Sequence, residues 1–188
     1  MRFTTSSKKV IYLDPYAGDD YSLSPDLVLV THEHYDHNNL SLLKMKDSTV
    51  IIRAKNCFDE QGRYRVFSDG EIKVTSCPAA NKNHSIKECV GFILEFDNLK
   101  IYCAGDTSYL PFMKDYLPSL KLDYAFLPCD GIYNMDVNQA SEVAKMINAR
   151  HVIPIHMWPG ALFSEEVAQK FSCLNKLVLH PGEEINLD

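Results

Sequence analysis

The chain has 188 residues, 46% hydrophobic and 23% charged, with a formal net charge of −6. This size suits one domain over residues 1–188 that buries about 70% of its unfolded surface, and the composition is that of an ordinary soluble protein. The acidic balance argues against polyanion binding. The apolar runs are too short for a membrane span, and residues 1–8 lack a leader-like apolar core, so a cytoplasmic setting is expected.

In chain order, β-branched and aromatic runs predict strands at Val10–Leu13, Leu27–Val30, Val50–Arg53, Tyr64–Phe67, Glu71–Ser76, Val90–Phe96 and Leu99–Cys103. Asp97-Asn98, between the last two, suits the positive φ of a hairpin turn. Further strands are expected at Asp123–Leu127, Val152–Ile155 and Leu177–Leu179, with Ile185–Leu187 a candidate last strand. Helices are expected near Asn39–Lys46, Leu110–Leu117, Val137–Asn148 and Ser164–Phe171. The third is the clearest: Ala140, Val143, Ala144 and Ile147 form one apolar stripe, and Asp136 stands where a cap belongs. Strands interspersed with helices imply sheets covered by helices, and periodicity leaves the topology open. Six dispersed cysteines with no C-x-x-C pair read as buried reduced thiols, with Cys103 and Cys129 next to candidate site residues.

The most informative run is His32-Glu33-His34-Tyr35-Asp36-His37, which follows a strand end. An H-x-H-x-D-H pattern is expected by chance in about one such chain in a thousand. Imidazole nitrogens and carboxylates at this density serve chiefly to hold a metal ion. One short loop cannot wrap four donors around a single tetrahedral ion, so two neighbouring ions sharing them is the more natural solution. Further donors are then required. His84 lies in a polar loop between strands, Asp106 follows a strand through Ala104-Gly105, and His156 ends the strand Val152–Ile155. Gly105 permits close approach and an unusual backbone angle. Alone, each of these has a structural explanation as a turn, cap or satisfied residue.

Together, Thr31–His37, Ala104-Gly105-Asp106-Thr107 and Ile153-Pro154-Ile155-His156 resemble the motifs of the metallo-β-lactamase superfamily, in that order. Asn81–His84 followed by Val90-Gly91-Phe92 looks like its third motif. Within the superfamily the chain is most similar to small metal-dependent hydrolases related to ascorbate-6-phosphate lactonase, through Ile11–Tyr16, Tyr102–Thr107 and Leu177–Glu184. The resemblance implies an α+β fold, a four-layer αββα sandwich with metals at one edge. It implies that His32, His34 and His84 hold one metal, that Asp36, His37 and His156 hold a second, and that Asp106 bridges them. Two departures stand out. The usual first strand is missing or reduced to Arg2–Thr5, and Asp130-Gly131-Ile132-Tyr133-Asn134-Met135 replaces a Gly-Gly-Thr-Tyr-Thr-Met type segment. Asp130 then either alters substrate charge preference or caps a loop.

The expected activity is metal-dependent hydrolysis, in which a metal-bridging hydroxide cleaves a small anionic ester, lactone or similar substrate. The cofactors expected are two divalent ions, zinc first, with manganese or iron(II) as alternatives. Two dications against two ligand carboxylates leave about +2 at the site, which favours an anionic substrate. Asp36 is expected to orient the hydroxide and pass on its proton, and Tyr133 to donate a hydrogen bond to substrate. Competing readings are a phosphodiesterase acting on a small phosphodiester or nucleic acid, iron redox chemistry, and a metal-stabilised binding or scaffold protein. Long nucleic acids are disfavoured by charge, no membrane partner is expected, and the oligomeric state is not readable. His151 and His180 are expected to be structural or surface residues. Asp14 is either a turn residue or a support for a metal ligand. Trp158 either packs or walls the site.

Overall fold

The computed structural model describes all 188 residues. Ten strands form: β1 (Arg2–Thr4), β2 (Val10–Leu13), β3 (Leu27–Val30), β4 (Val50–Arg53), β5 (Val66–Ser68), β6 (Lys73–Pro78), β7 (Val90–Phe96), β8 (Leu99–Cys103), β9 (Tyr124–Pro128) and β10 (His151–Ile155). The α-helices are α1 (Pro111–Asp115), α2 (Val137–Ile147) and α3 (Glu165–Lys170). Strands β1-β2-β3-β4 make one sheet and β10-β9-β8-β7-β6-β5 the other. Both are mixed, because β1 and β5–β7 pair antiparallel while β2–β4 and β8–β10 run parallel.

Strand alternation builds the layers. Ile11 and Leu13, Leu27 and Leu29, Phe92 and Leu94, Ile101 and Cys103, and Tyr124 and Phe126 face one another in a core between the sheets. On the second sheet Tyr102, Ala125, Leu127 and Val152 turn outward under the helices, meeting Met113, Val143, Ala144, Ile147 and Phe171. On the first sheet Val10, Tyr12, Val28 and Val30 also turn outward, where Leu43 and Leu40 cover them. No α-helix lies there. The helix expected at Asn39–Lys46 shrinks to a single 3₁₀ turn, Leu40–Leu42, so the fourth layer is loop.

Several other element boundaries move, each for a local reason. The helix expected at Leu110–Leu117 stops at Asp115, because Pro118 has no amide to donate to the Lys114 carbonyl; a 3₁₀ turn, Leu117–Leu120, follows. Helix α2 starts at the Asp136 cap, whose side chain accepts from the Asn138 and Gln139 amides, both at 2.8 Å. It ends before Asn148, which is left-handed at φ 52°. Helix α3 runs from its Ser164 cap, short of Phe171. Strand β6 starts late because Asp69 Oδ1 draws the Glu71 and Ile72 amides into a turn. Tyr64 makes only an isolated bridge to Phe58, and β5 begins at Val66. Neither Leu177–Leu179 nor Ile185–Leu187 is a strand. Lys176 makes one bridge to Val152, and the leucines 177, 179 and 187 pack against the intersheet core. The hairpin at Asp97-Asn98 forms as expected, with φ 50° and 63°.

The reduced first strand exists as β1 and pairs with β2, so the first sheet keeps that edge. Because β2 and β3 run parallel, as do β6, β8, β9 and β10, their C-terminal ends gather at one rim. There the Val90 amide donates to the Thr31 carbonyl at 3.0 Å, joining the sheets. Gly105 occupies this junction at φ +65°. A Cβ there would lie 2.8 Å from the Val90 carbonyl oxygen, so only glycine lets Asp106 turn in.

Candidate metal centre

Strand ends deliver every predicted donor to this rim. His32, His34, Asp36 and His37 follow β3, His84 closes the loop after β6, Asp106 follows β8, and His156 follows β10. Their donor atoms fall into three overlapping groups, each with all its atoms within 4.8 Å of one another: His32, His34 and His84; His32, His37 and Asp106; Asp36, His37 and His156. The middle group takes one histidine from each of the others, which places Asp106 between them. Asp106 Oδ1 lies 3.4 Å from His37 Nε2 and 3.6 Å from His156 Nε2. Asp36 Oδ2 lies 3.9 and 3.8 Å from the same two nitrogens. The spacing is wider than direct hydrogen bonds and suits a shared central ion.

Carboxylates behind the rings fix their orientation. Asp14 accepts from the Thr31 amide (2.8 Å) and hydroxyl (2.7 Å), and its Oδ2 lies 2.8 Å from His37 Nδ1. Thr31 Oγ1 also reaches His32 Nδ1 at 3.1 Å. Asp130 Oδ1 accepts the amides of Ile132 and Tyr133, both at 2.7 Å, and of Asn134 at 3.2 Å. Its Oδ2 lies 2.9 Å from His156 Nδ1, an ion-pair distance without full hydrogen-bond alignment, and takes Asn134 Nδ2 at 2.6 Å. Asn134 in turn accepts from Asn81, whose Oδ1 holds the His84 amide. Of the alternatives open for these two carboxylates, Asp14 supports a ring, and Asp130 caps its loop while backing His156. Asp14 and His156 sit one residue past strand ends at φ 47° and 44°, so extended alternation does not aim them.

The electrostatics divide the rings. Burial and the neighbouring histidines hold His32 down to about 3, and burial also lowers His84. Burial lowers His156 too, but Asp130, Asp36 and Asp106 outweigh it and raise the ring to about 10. Burial acts the same way on His37, and there Asp14 outweighs it, so this ring is raised as well. The His156 ring, 3.8 Å away, holds Asp36 down to about 2. Burial pushes Asp130 up, yet His156 and three amides outweigh it and hold the carboxyl to about 2.

The donor set fits divalent ions. His32 Nε2 and His37 Nε2 are buried and aimed inward with no hydrogen-bond partner, an arrangement that is costly unless something else satisfies them. A cleft of about 400 Å³ opens beside His32, His34 and His84. A second one, about 470 Å³, is lined by residues such as Glu71, Glu95 and Lys100 and holds none of these donors.

The remaining candidates are less central. Tyr133 lies on the Asp130 loop, 41% exposed, with Lys82 Nζ 5.7 Å from its ring centre. Tyr35 is more exposed, at 75%, and packs edge-on against Tyr16. Trp158 is 54% exposed and does not pack into the core. His151 stacks on Tyr124 and His180 tilts against Phe163, both outside the donor groups, as expected. All six cysteines are free thiols, and Cys89 donates to the Asp106 carbonyl. No helix is long and apolar enough to cross a membrane.

Two sheets packed face to face, with five histidines and two aspartates collected at one rim, define the metallo-β-lactamase fold. Residues 1–156 match the family model described as Beta-lactamase superfamily domain, and the chain belongs to that superfamily. It is 30% identical to a UPF0173 metal-dependent hydrolase from Methanoregula boonei over 97% of this chain and 92% of the relative. A further UPF0173 metal-dependent hydrolase, from Pyrococcus furiosus, is 28% identical over 98% of this chain and 95% of its own length. The crystal structure of a proposed metal-dependent hydrolase from Parabacteroides distasonis superposes with a TM-score of 0.71. It is 27% identical, covering 95% of this chain and 96% of that one.

Proposed function

We propose that residues 1–188 act as one metal-dependent hydrolase domain holding two divalent ions, zinc by first choice, and cleaving a small anionic ester or lactone. The observation that carries this reading is the overlap of three donor groups through His32 and His37, with two inward ring nitrogens unpartnered. His32, His34 and His84 would hold one ion, Asp36, His37 and His156 the other, and Asp106 would contact both. Bound divalent ions supply an activated water and polarise the scissile carbonyl. The seven donors leave coordination positions open, which structural zinc sites rarely do, and no cysteine is among them. This favours catalysis over a scaffold role.

The chain's own residues do the rest. Asp36, held down to about 2 and partly exposed, stays an acceptor at neutral pH, so it can take a proton from the attacking water and release it to the leaving group. Asp14 and Asp130 keep the rings of His37 and His156 turned to the centre. Tyr133, half exposed on the Asp130 loop, can donate a hydrogen bond to the substrate. The ring-opening chemistry of lactonases suits this arrangement. The test is metal analysis of protein purified without added metal, followed by turnover of lactones, esters, thioesters and phosphodiesters. Turnover that survives complete chelation overturns the reading, and a preference for phosphodiesters replaces it with the phosphodiesterase alternative.

A further inference from the structure

The cleft opens on one half of the centre only. Its walls include His32, His34 and His84 but none of Asp36, His37 or His156, so a substrate in it approaches from the three-histidine side. Two lysines, Lys55 and Lys87, share those walls with two glutamates. The glutamates are engaged elsewhere. Glu33 Oε2 takes Arg53 at 2.6 Å and Asn38 at 2.5 Å, and Glu88 Oε2 takes the Ser85 hydroxyl at 2.7 Å and its amide at 3.2 Å.

Neither lysine forms an ion pair with any carboxylate, whereas Lys9, Lys46, Lys73, Lys145 and Lys170 all do. Lys55 is carried on the 3₁₀ turn Ala54–Asn56, where Asn56 Oδ1 accepts the Arg53 amide at 3.0 Å. Lys87 lies in the turn that Glu88 and Ser85 tie together. Both backbones are thus fixed while both ammonium groups are free. The two lysines are therefore the cleft's unpaired positive charges.

We propose that Lys55 and Lys87 are the specificity-determining pair of this cleft, selecting substrates that carry a carboxylate or phosphate group beside the scissile bond. This rests on the hydrolase reading above and deepens it by naming the substrate class and the residues that recognise it. Exposed single ion pairs are weak, so the two lysines together set a preference of about tenfold, which salt reduces.

The experiment compares zinc-loaded wild-type protein, K55Q/K87Q and K55R/K87R on two matched probes, neutral p-nitrophenyl acetate and anionic mono-p-nitrophenyl glutarate. In wild type the anionic ester has the higher kcat/KM. The ratio falls about tenfold in K55Q/K87Q, through KM, and returns in K55R/K87R. Added glycerophosphate competes with the anionic ester in wild type but about tenfold more weakly in K55Q/K87Q, which tells whether phosphate shares the subsite with carboxylate. A ratio near one in wild type, or a ratio unchanged in K55Q/K87Q, overturns the proposal.

A second arm needs no turnover. Glutarate added to metal-free protein shifts the amide resonances around residues 55 and 87, with about tenfold weaker binding in K55Q/K87Q. Shifts confined to other segments overturn the proposal. If neither ester is cleaved but this arm succeeds, the hydrolase reading fails and the anion site stands.

Discussion

The two halves of the candidate centre are built from similar donor residues yet sit in opposite electrostatic surroundings. His32, His34 and His84 meet one another with ring centres 4.3–4.8 Å apart, and only the Thr31 side chain stands behind any of the rings. His37 and His156 are backed by Asp14 and Asp130 and faced by Asp36 and Asp106. In the first trio, which is open to the cleft, burial disfavours protonation of His32 and His84. The second is acid-rich and buttressed from behind, and its carboxylates favour protonation of His37 and His156. The difference lies in what surrounds similar rings. The first half sets its imidazoles against the cleft, while the second encloses its two rings among carboxylates.

The largest expected effect comes from the group the halves share. Asp106→Ala should lower turnover on the order of a thousandfold and reduce the bound metal below two equivalents, measured by steady-state kinetics and metal analysis. If both ions remain at full occupancy, Asp106 does not join the halves. Next comes the buttress of the acid-rich half. Asp130→Asn should weaken one of two metal equivalents by about 10- to 100-fold in a competition titration with a chelating dye. The other equivalent should hold its affinity. Equal weakening of both would erase the distinction between the halves.

The pH dependence of the metal-stripped protein separates them in another way. His156, raised to about 10, adds stability that is complete below its unfolded value near 6.5 and is lost as pH rises toward 10. His32, held at about 3, acts oppositely: the unfolded chain binds the proton first, so stability falls as pH drops from about 6.5 toward 3. The expected melting profile peaks near neutrality. His156→Gln should flatten the alkaline limb and His32→Asn the acid limb, both read by thermal denaturation; limbs that fail to separate would sink the comparison. The smallest effect belongs to the link between the halves. Thr31→Val removes the hydroxyl shared by Asp14 and His32 and should cost about 1–2 kcal/mol in denaturant unfolding, with modest loosening of both metal equivalents.

Much of the candidate site was legible because its donor residues come in short local motifs at strand ends. Within the H-x-H-x-D-H run, His32 and His34 fall in one donor group and Asp36 and His37 in another, the two-and-two division expected of so short a loop. Gly105 was readable too, since a glycine before a strand-end aspartate implies a close approach. What escaped the sequence was action at a distance. Lys55 and Lys87 are ordinary surface lysines until the fold sets them on one cleft with His34. Asp130 looked like either a charge determinant or a cap, and only the proximity of β9 and β10 shows that it also backs His156. The Asn81–Asn134 bond, spanning 53 positions, had no local signal.

The sequence by itself determined the strands whose two-residue alternation buries both faces, the capped amphipathic helix α2, and the identity of the donor residues. These depend on neighbours within a few positions, where backbone sterics and periodicity act. Tertiary structure alone decided that Thr31, just past β3, would meet Val90 at the start of β7. It decided too that the cover of the first sheet would be loop rather than helix, and that the C-terminal leucines would pack without pairing. Which carboxylates stand behind which rings was settled at the same level. Those outcomes depend on contacts between residues tens of positions apart, and only the closing of two sheets on a shared core brings them within bonding distance.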